Sequence, residues 1–143
     1  VYVSWENIDG MWTRYNWEHP ALIGAYGMLP GDGVDIPTME RTLMKVHREW
    51  KLHETWGWDF PMLAMCAARL GKPEMADYPA FDFDACGLVG GGRAPFPYFP
   101  GNGGLLYAVA MMAAGWDGAP SGNAPGFPSK GWVVKHEGLH KAL

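Results

Sequence analysis

The chain has 143 residues, enough for one domain with a buried core, and at 48% hydrophobic and 18% charged its composition is that of a globular protein rather than a disordered one. The net charge of -4 comes without a basic cluster, which argues against electrostatic capture of nucleic acid or of an anionic membrane surface. The longest apolar run, Leu105 to Ala114, is too short to span a bilayer, and the opening VYVSWENIDG has neither the basic start nor the apolar centre of a signal peptide.

Four helical segments follow in order. Pro20 to Tyr26 has proline at a first-turn position and Gly27 as its stop. In Pro37 to Lys51, Met39, Leu43, Val46 and Trp50 recur at helical spacing, with Glu40, Arg41, Lys45 and Arg48 off that line, so one face is buried and one is wet. Phe60 to Leu70 carries Pro61 in its first turn and is closed by Gly71 and Pro73; Gly104 to Ala114 has Asn102 as its N-cap and Gly115 as its stop. The last two segments are apolar on nearly every side, which predicts helices buried all round. The first, third and fourth helices are thus expected inside and the second at the periphery. The fold class is all-α over residues 1–143, with an irregular tail at 118–143 and long aromatic- and Gly-rich loops.

Eight tryptophans, six tyrosines and six phenylalanines are many for this length, and their positions are uneven. MWTRYNWEH precedes the first helix, KLHETWGWD the third and FPYFPGN the fourth, whereas PGDGVDI, before the second, has no aromatic residue. Aromatic clusters therefore mark the starts of the internal helices. If those helices run parallel, their free N–H groups and positive dipole ends share one face with the rings.

From WEHPALIGAYGMLPGDGVD through HETWGWDFPMLAMCAARLGKPEMA to YFPGNGGLLYAVAMMAAGWDG, and on to APGFPSKGWVVKHEGL, the chain resembles the C-terminal third of bacterial glycoside-hydrolase-like proteins related to families 65 and 95. The resemblance implies part of an (α/α) toroid of six hairpins that acts on glycosidic bonds, with water or phosphate as acceptor. It also implies that the upstream part of the same barrel is a partner, that the general acid lies there, and that the location is periplasmic or secreted rather than cytoplasmic. His19 with the MLPG turn (Met28 to Gly31), and Gly57, Trp58 and Asp59, are similar to blocks of the fucosidases. Pro100 stands where those enzymes carry the aspartate that helps to activate water. The alternative is a non-catalytic carbohydrate-binding or structural helical domain.

Glycosidases need two carboxyl groups flanking the bond. Asp59 and Glu18 are the catalytic candidates at the expected mouth. Asp59 is also placed to cap the third helix, and Glu18 to sit in a first turn. His19, Trp17, Trp56, Trp58 and Asn102 are candidate contacts for an oligo- or polysaccharide, the rings stacking on apolar sugar faces; Trp12 is a further platform candidate. Trp50 and Trp116 fit core packing. No metal or cofactor is expected: HREWKLHE lacks metal-ligand spacing, and GLVGGGRAPFPYFPGNGG is no nucleotide loop. Arg93 within it reads as a solvated loop cation, with contact to an anionic or hydroxylated ligand as the alternative. Cys66 reads as a buried thiol and Cys86 as a loop residue, with a disulfide between them left open.

Overall fold

The structure, a computed structural model, describes residues 1–75 and 98–143. The regular elements are α1 (Met11–Arg14), a 3-10 turn (Ala21–Ile23) that runs into α2 (Gly24–Gly27), α3 (Ile36–Glu49), a second 3-10 turn (Leu52–Glu54), α4 (Asp59–Arg69) and α5 (Phe99–Ala114). Among the described residues there is no strand, and one isolated bridge joins Trp116 to Ala142. The described residues are thus all-α. Cys86, Arg93 and most of the Gly-rich segment before Tyr98 lie outside the described residues.

The amphipathic reading of α3 holds residue by residue. Met39, Leu43 and Val46 are buried on one face, and Trp50, just past the last turn, is buried with them. Asp35 caps the start, its carboxylate accepting the Thr38 N–H. The far end is capped by Asn16, whose side-chain N–H donates to Glu49 O at 2.7 Å while its backbone carbonyl accepts the Lys51 N–H at 2.7 Å. Thr42, also buried, donates its hydroxyl to Thr38 O and accepts the Tyr2 N–H at 2.9 Å, which fastens the start of the chain to this helix.

α4 is the centre of the fold: every residue from Asp59 to Arg69 is buried. It packs against α2 on one side and α5 on the other. Near their starts, His19 meets Asp59; near their ends, the Tyr26 hydroxyl donates to Arg69 O, so α2 and α4 run the same way. α5 does likewise, with Gly104 against Pro61 and Trp58 and, beyond its end, the Trp116 ring 5.8 Å from the Arg69 guanidinium. α3 runs the opposite way, because it ends where α2 begins: the Trp50 indole donates to Glu18 O at 2.6 Å.

α2 ends at Gly27, the expected stop. A Cβ on it would lie 2.6 Å from Met62 O, so glycine there lets α2 approach the α4 backbone. α5 begins at Phe99, five residues ahead of the expected Gly104. Asn102 therefore lies within its first turns, donating its amide to Tyr98 O, and does not cap it. Pro100 is harmless there because first-turn N–H groups have no intrahelical partner. Nor is α5 buried all round. Ala108, Met111 and Met112 are covered, but Phe99 and Leu106 are 73% and 72% exposed. Its sequence is apolar on both sides, while the described neighbours cover one.

The irregular tail is pinned. The Gly126 N–H donates to Met112 O, the Asp117 N–H to Ala142 O and the Ala142 N–H to Gly115 O, each at 3.0 Å, and Arg69 donates to Leu143 O. Among the described residues Cys66 is a free thiol, and burial pushes its pKa up to about 12. His136 and His140 are exposed.

Two glycine substitutions test this packing. Gly27→Ala should cost about 1–3 kcal/mol through overpacking. Gly103→Ala, in α5 with open space around the new methyl, should add about 0.5–1 kcal/mol. Urea unfolding of the two variants beside wild type checks both signs.

Candidate functional site

The residues that begin α2, α4 and α5 meet. Asp59 is the first residue of α4 and is fully buried. It was expected as a cap, but no side-chain bond caps this helix. Asp59 instead turns back on the preceding loop, accepting the Trp56 N–H at 3.0 Å on Oδ2 and facing His19 Nδ1 at 2.8 Å with Oδ1. His19 is a third exposed. Its ring lies 4.8 Å from that of Trp58 and 5.8 Å from that of Trp56, and Trp56 in turn lies 6.2 Å from Tyr98 at the start of α5. An imidazole and three aromatic rings thus line up over one buried carboxylate.

The local chain explains the placement. Pro20 follows His19 directly and leads into the 3-10 turn, which fixes the entry to α2. Thr55 is buried and donates its hydroxyl to Leu52 O, which tightens the turn before Trp56. Glu18, whose backbone is held by Trp50, shares with His19 a cleft of ≈ 220 Å³ that is also lined by Ser4, Trp5 and Ala21. Asn102 reaches the cluster through Tyr98.

Trp17 donates its indole N–H to Arg14 O at the end of α1. Trp12 packs edge-on against Trp50, with Lys45 over its ring, and so is tied to α3 and not to the His19 wall. Trp50 and Trp116 are buried core residues. In HREWKLHE, His47 is exposed, Glu49 pairs with Lys45 and Arg48, and His53 lies 3.5 Å from Glu54. Among the described residues no three His, Cys, Asp or Glu side chains gather as a metal site, and no helix is long and apolar enough to cross a membrane.

The Asp59–His19 pair is the chemically active part. An ionised carboxylate can only accept, so the 2.8 Å contact assigns a proton to Nδ1. In the neutral ring Nε2 then keeps its lone pair, and it makes no hydrogen bond to the described protein groups. Asp59 itself is closed off from a ligand, and it acts by setting the ring's orientation and tautomer. His19 can accept or donate a proton at Nε2. Burial pushes the Asp59 carboxyl above the usual carboxylate range, against the Trp56 N–H and His19, which favour its anion. Burial and the neighbouring Asp59 charge likewise push the Tyr98 hydroxyl up.

Of these residues, Tyr98 and Trp5 were not singled out from the sequence. Tyr98 lies within an aromatic cluster that was noted as a whole; Trp5 carried no local signal. No family model, no curated protein and no solved structure matches this chain.

Two measurements follow. Nitrogen NMR of the His19 ring at pH 8 should show Nδ1 protonated and Nε2 bare; the opposite tautomer would remove Asp59 from the positioning role. The raised Asp59 carboxyl means that the folded chain holds this proton more tightly than the unfolded one. Its contribution to stability therefore falls as pH rises from about 4, the ordinary value, through the raised one. The melting temperature of wild type minus that of Asp59→Asn should become less positive over that range and then level off.

Proposed function

We propose that this chain forms one wall of the sugar site of a carbohydrate-active enzyme, hydrolysing or phosphorolysing glycosidic bonds, with the rest of an (α/α) toroid supplied by residues outside it. The observation that carries the reading is the meeting of His19, Trp56, Trp58 and Tyr98 over buried Asp59, from the starts of three helices. Packing needs no such gathering of an imidazole and indoles at helix starts. A polyhydroxylated ligand does, since its apolar faces stack on rings and its hydroxyls need fixed donors and acceptors.

The parallel course of α2, α4 and α5, with α3 antiparallel between the first two, supports the toroid: inner helices of successive hairpins run one way and outer helices the other. Within this wall, His19 is the group that meets ligand, Asp59 positions it, and Glu18 is the carboxylate that shares its cleft. Trp17 and Asn102 support the loops around the wall.

One observation favours the second reading, a carbohydrate-binding domain without catalysis. Pro100, where the resembling fucosidases carry a carboxylate, is an exposed residue of the first turn of α5 and has no ionisable group.

Calorimetry of the 143-residue chain against neutral oligosaccharides should detect binding, and Trp58→Ala should weaken it about tenfold. The chain alone should not hydrolyse aryl glycosides. Binding unchanged by both Trp58→Ala and His19→Ala, with melts showing folded variants, would place any sugar site elsewhere.

A further inference from the structure

We infer that the cleft between Ser4–Trp5 and Glu18–His19–Ala21 is a subsite for one neutral pyranose ring, with Trp5 as its stacking plate. This rests on the carbohydrate reading above and adds a wall from a segment that reading does not use.

The start of the chain is held in place. The Tyr2 N–H donates to buried Thr42 at 2.9 Å, the Tyr2 hydroxyl accepts the Asp35 N–H at 2.8 Å, and the Ser4 N–H points at Met11 Sδ at 3.1 Å. These ties on either side of Val3 bring Trp5 to the rim of the cleft. Trp5 is nevertheless 55% exposed, and its one ring contact among the described residues is edge-on, with Tyr15 at 6.2 Å and 72°. A large indole fastened by its backbone and left open at the mouth of a cleft has not been placed there by core packing.

The same cleft is lined by Glu18 and by His19, whose Nδ1 is engaged by Asp59. A carboxylate accepts hydrogen bonds and Nε2 accepts or donates one, which suits vicinal hydroxyls. The volume of ≈ 220 Å³ is below the roughly 300–1,000 Å³ of pockets that hold drug-sized ligands, so the cleft takes one ring and not a chain. The Glu18 charge selects against an acidic sugar.

The test is calorimetry of the 143-residue chain with methyl glycosides of glucose, galactose, xylose and fucose, with their disaccharides, and with methyl glucuronide. The variants are Trp5→Ala, Trp58→Ala, Glu18→Gln and Trp132→Ala, the last an exposed residue of the tail, each checked by thermal melt. At least one neutral monosaccharide should bind. Trp5→Ala should weaken it at least about fivefold without lowering the melting temperature, and Trp132→Ala should leave it unchanged. Glucuronide should bind more weakly than the neutral glucoside at low salt, and Glu18→Gln should narrow that gap. Binding that responds to Trp58→Ala but not to Trp5→Ala overturns this subsite and leaves the wider sugar site standing. Disaccharide binding with none for any monosaccharide overturns the single-ring assignment. No binding to any of the sugars overturns both.

Discussion

A carboxylate buried at the first residue of α4 constrains everything around it. An ionised group out of water is costly unless its oxygens are hydrogen-bonded, and a fully buried Asp59 has no solvent to turn to. It needs the Trp56 N–H and the His19 ring, and each requirement reaches into another part of the chain. Trp56 closes the loop from α3 into α4. His19 leads into α2 and follows Glu18, whose carbonyl is held by Trp50 at the end of α3. One acidic side chain thus couples three helices, and the ring wall is assembled as those couplings are met.

The scaffold and the wall use different residue types for different reasons. Between α2 and α4 the close approach depends on glycine, with Gly24 facing Met62 Sδ and Gly27 facing Met62 O and Cys66. Methionine fits this kind of contact because its unbranched thioether fills irregular gaps. Above that tight base, the aromatic side chains sit on loops and first turns, where they need not complete a core layer and are left half-exposed. The rigid elements lie below and the variable chemistry at the rim.

The helices were the readable part. The spacing of Met39, Leu43, Val46 and Trp50 identifies the inner face of α3 because only one side of that helix is apolar. The unbroken apolar run from Phe60 to Ala68 identifies a central helix because nothing polar within it demands water. α5 has the same apolar character but an open side, since residue type alone does not tell how many neighbours a helix has. Its start was misplaced because Pro100, Gly101, Gly103 and Gly104 read as loop residues, although proline is tolerated in a first turn and glycines cost only part of what a long helix gains. At the site, aromatic clustering before three helices pointed to His19, Trp56, Trp58 and Asp59. The bond between residues 19 and 59, and the return of Trp5 to the same place, are contacts across 40 and 14 positions that no local pattern encodes.

The pinned tail has a consequence for how the chain withstands cutting. Residues 118–141 leave α5 and come back to it, with Gly115 and Asp117 bonded to Ala142 at the neck, Gly126 bonded to Met112, and the exposed stretch Ser129 to Val133 at the far side. A break in that stretch would leave both pieces attached through separate backbone bonds, so the severed end would stay docked while the rest of the molecule kept its shape. Covalent continuity and structural continuity are, in this part of the molecule, separate properties.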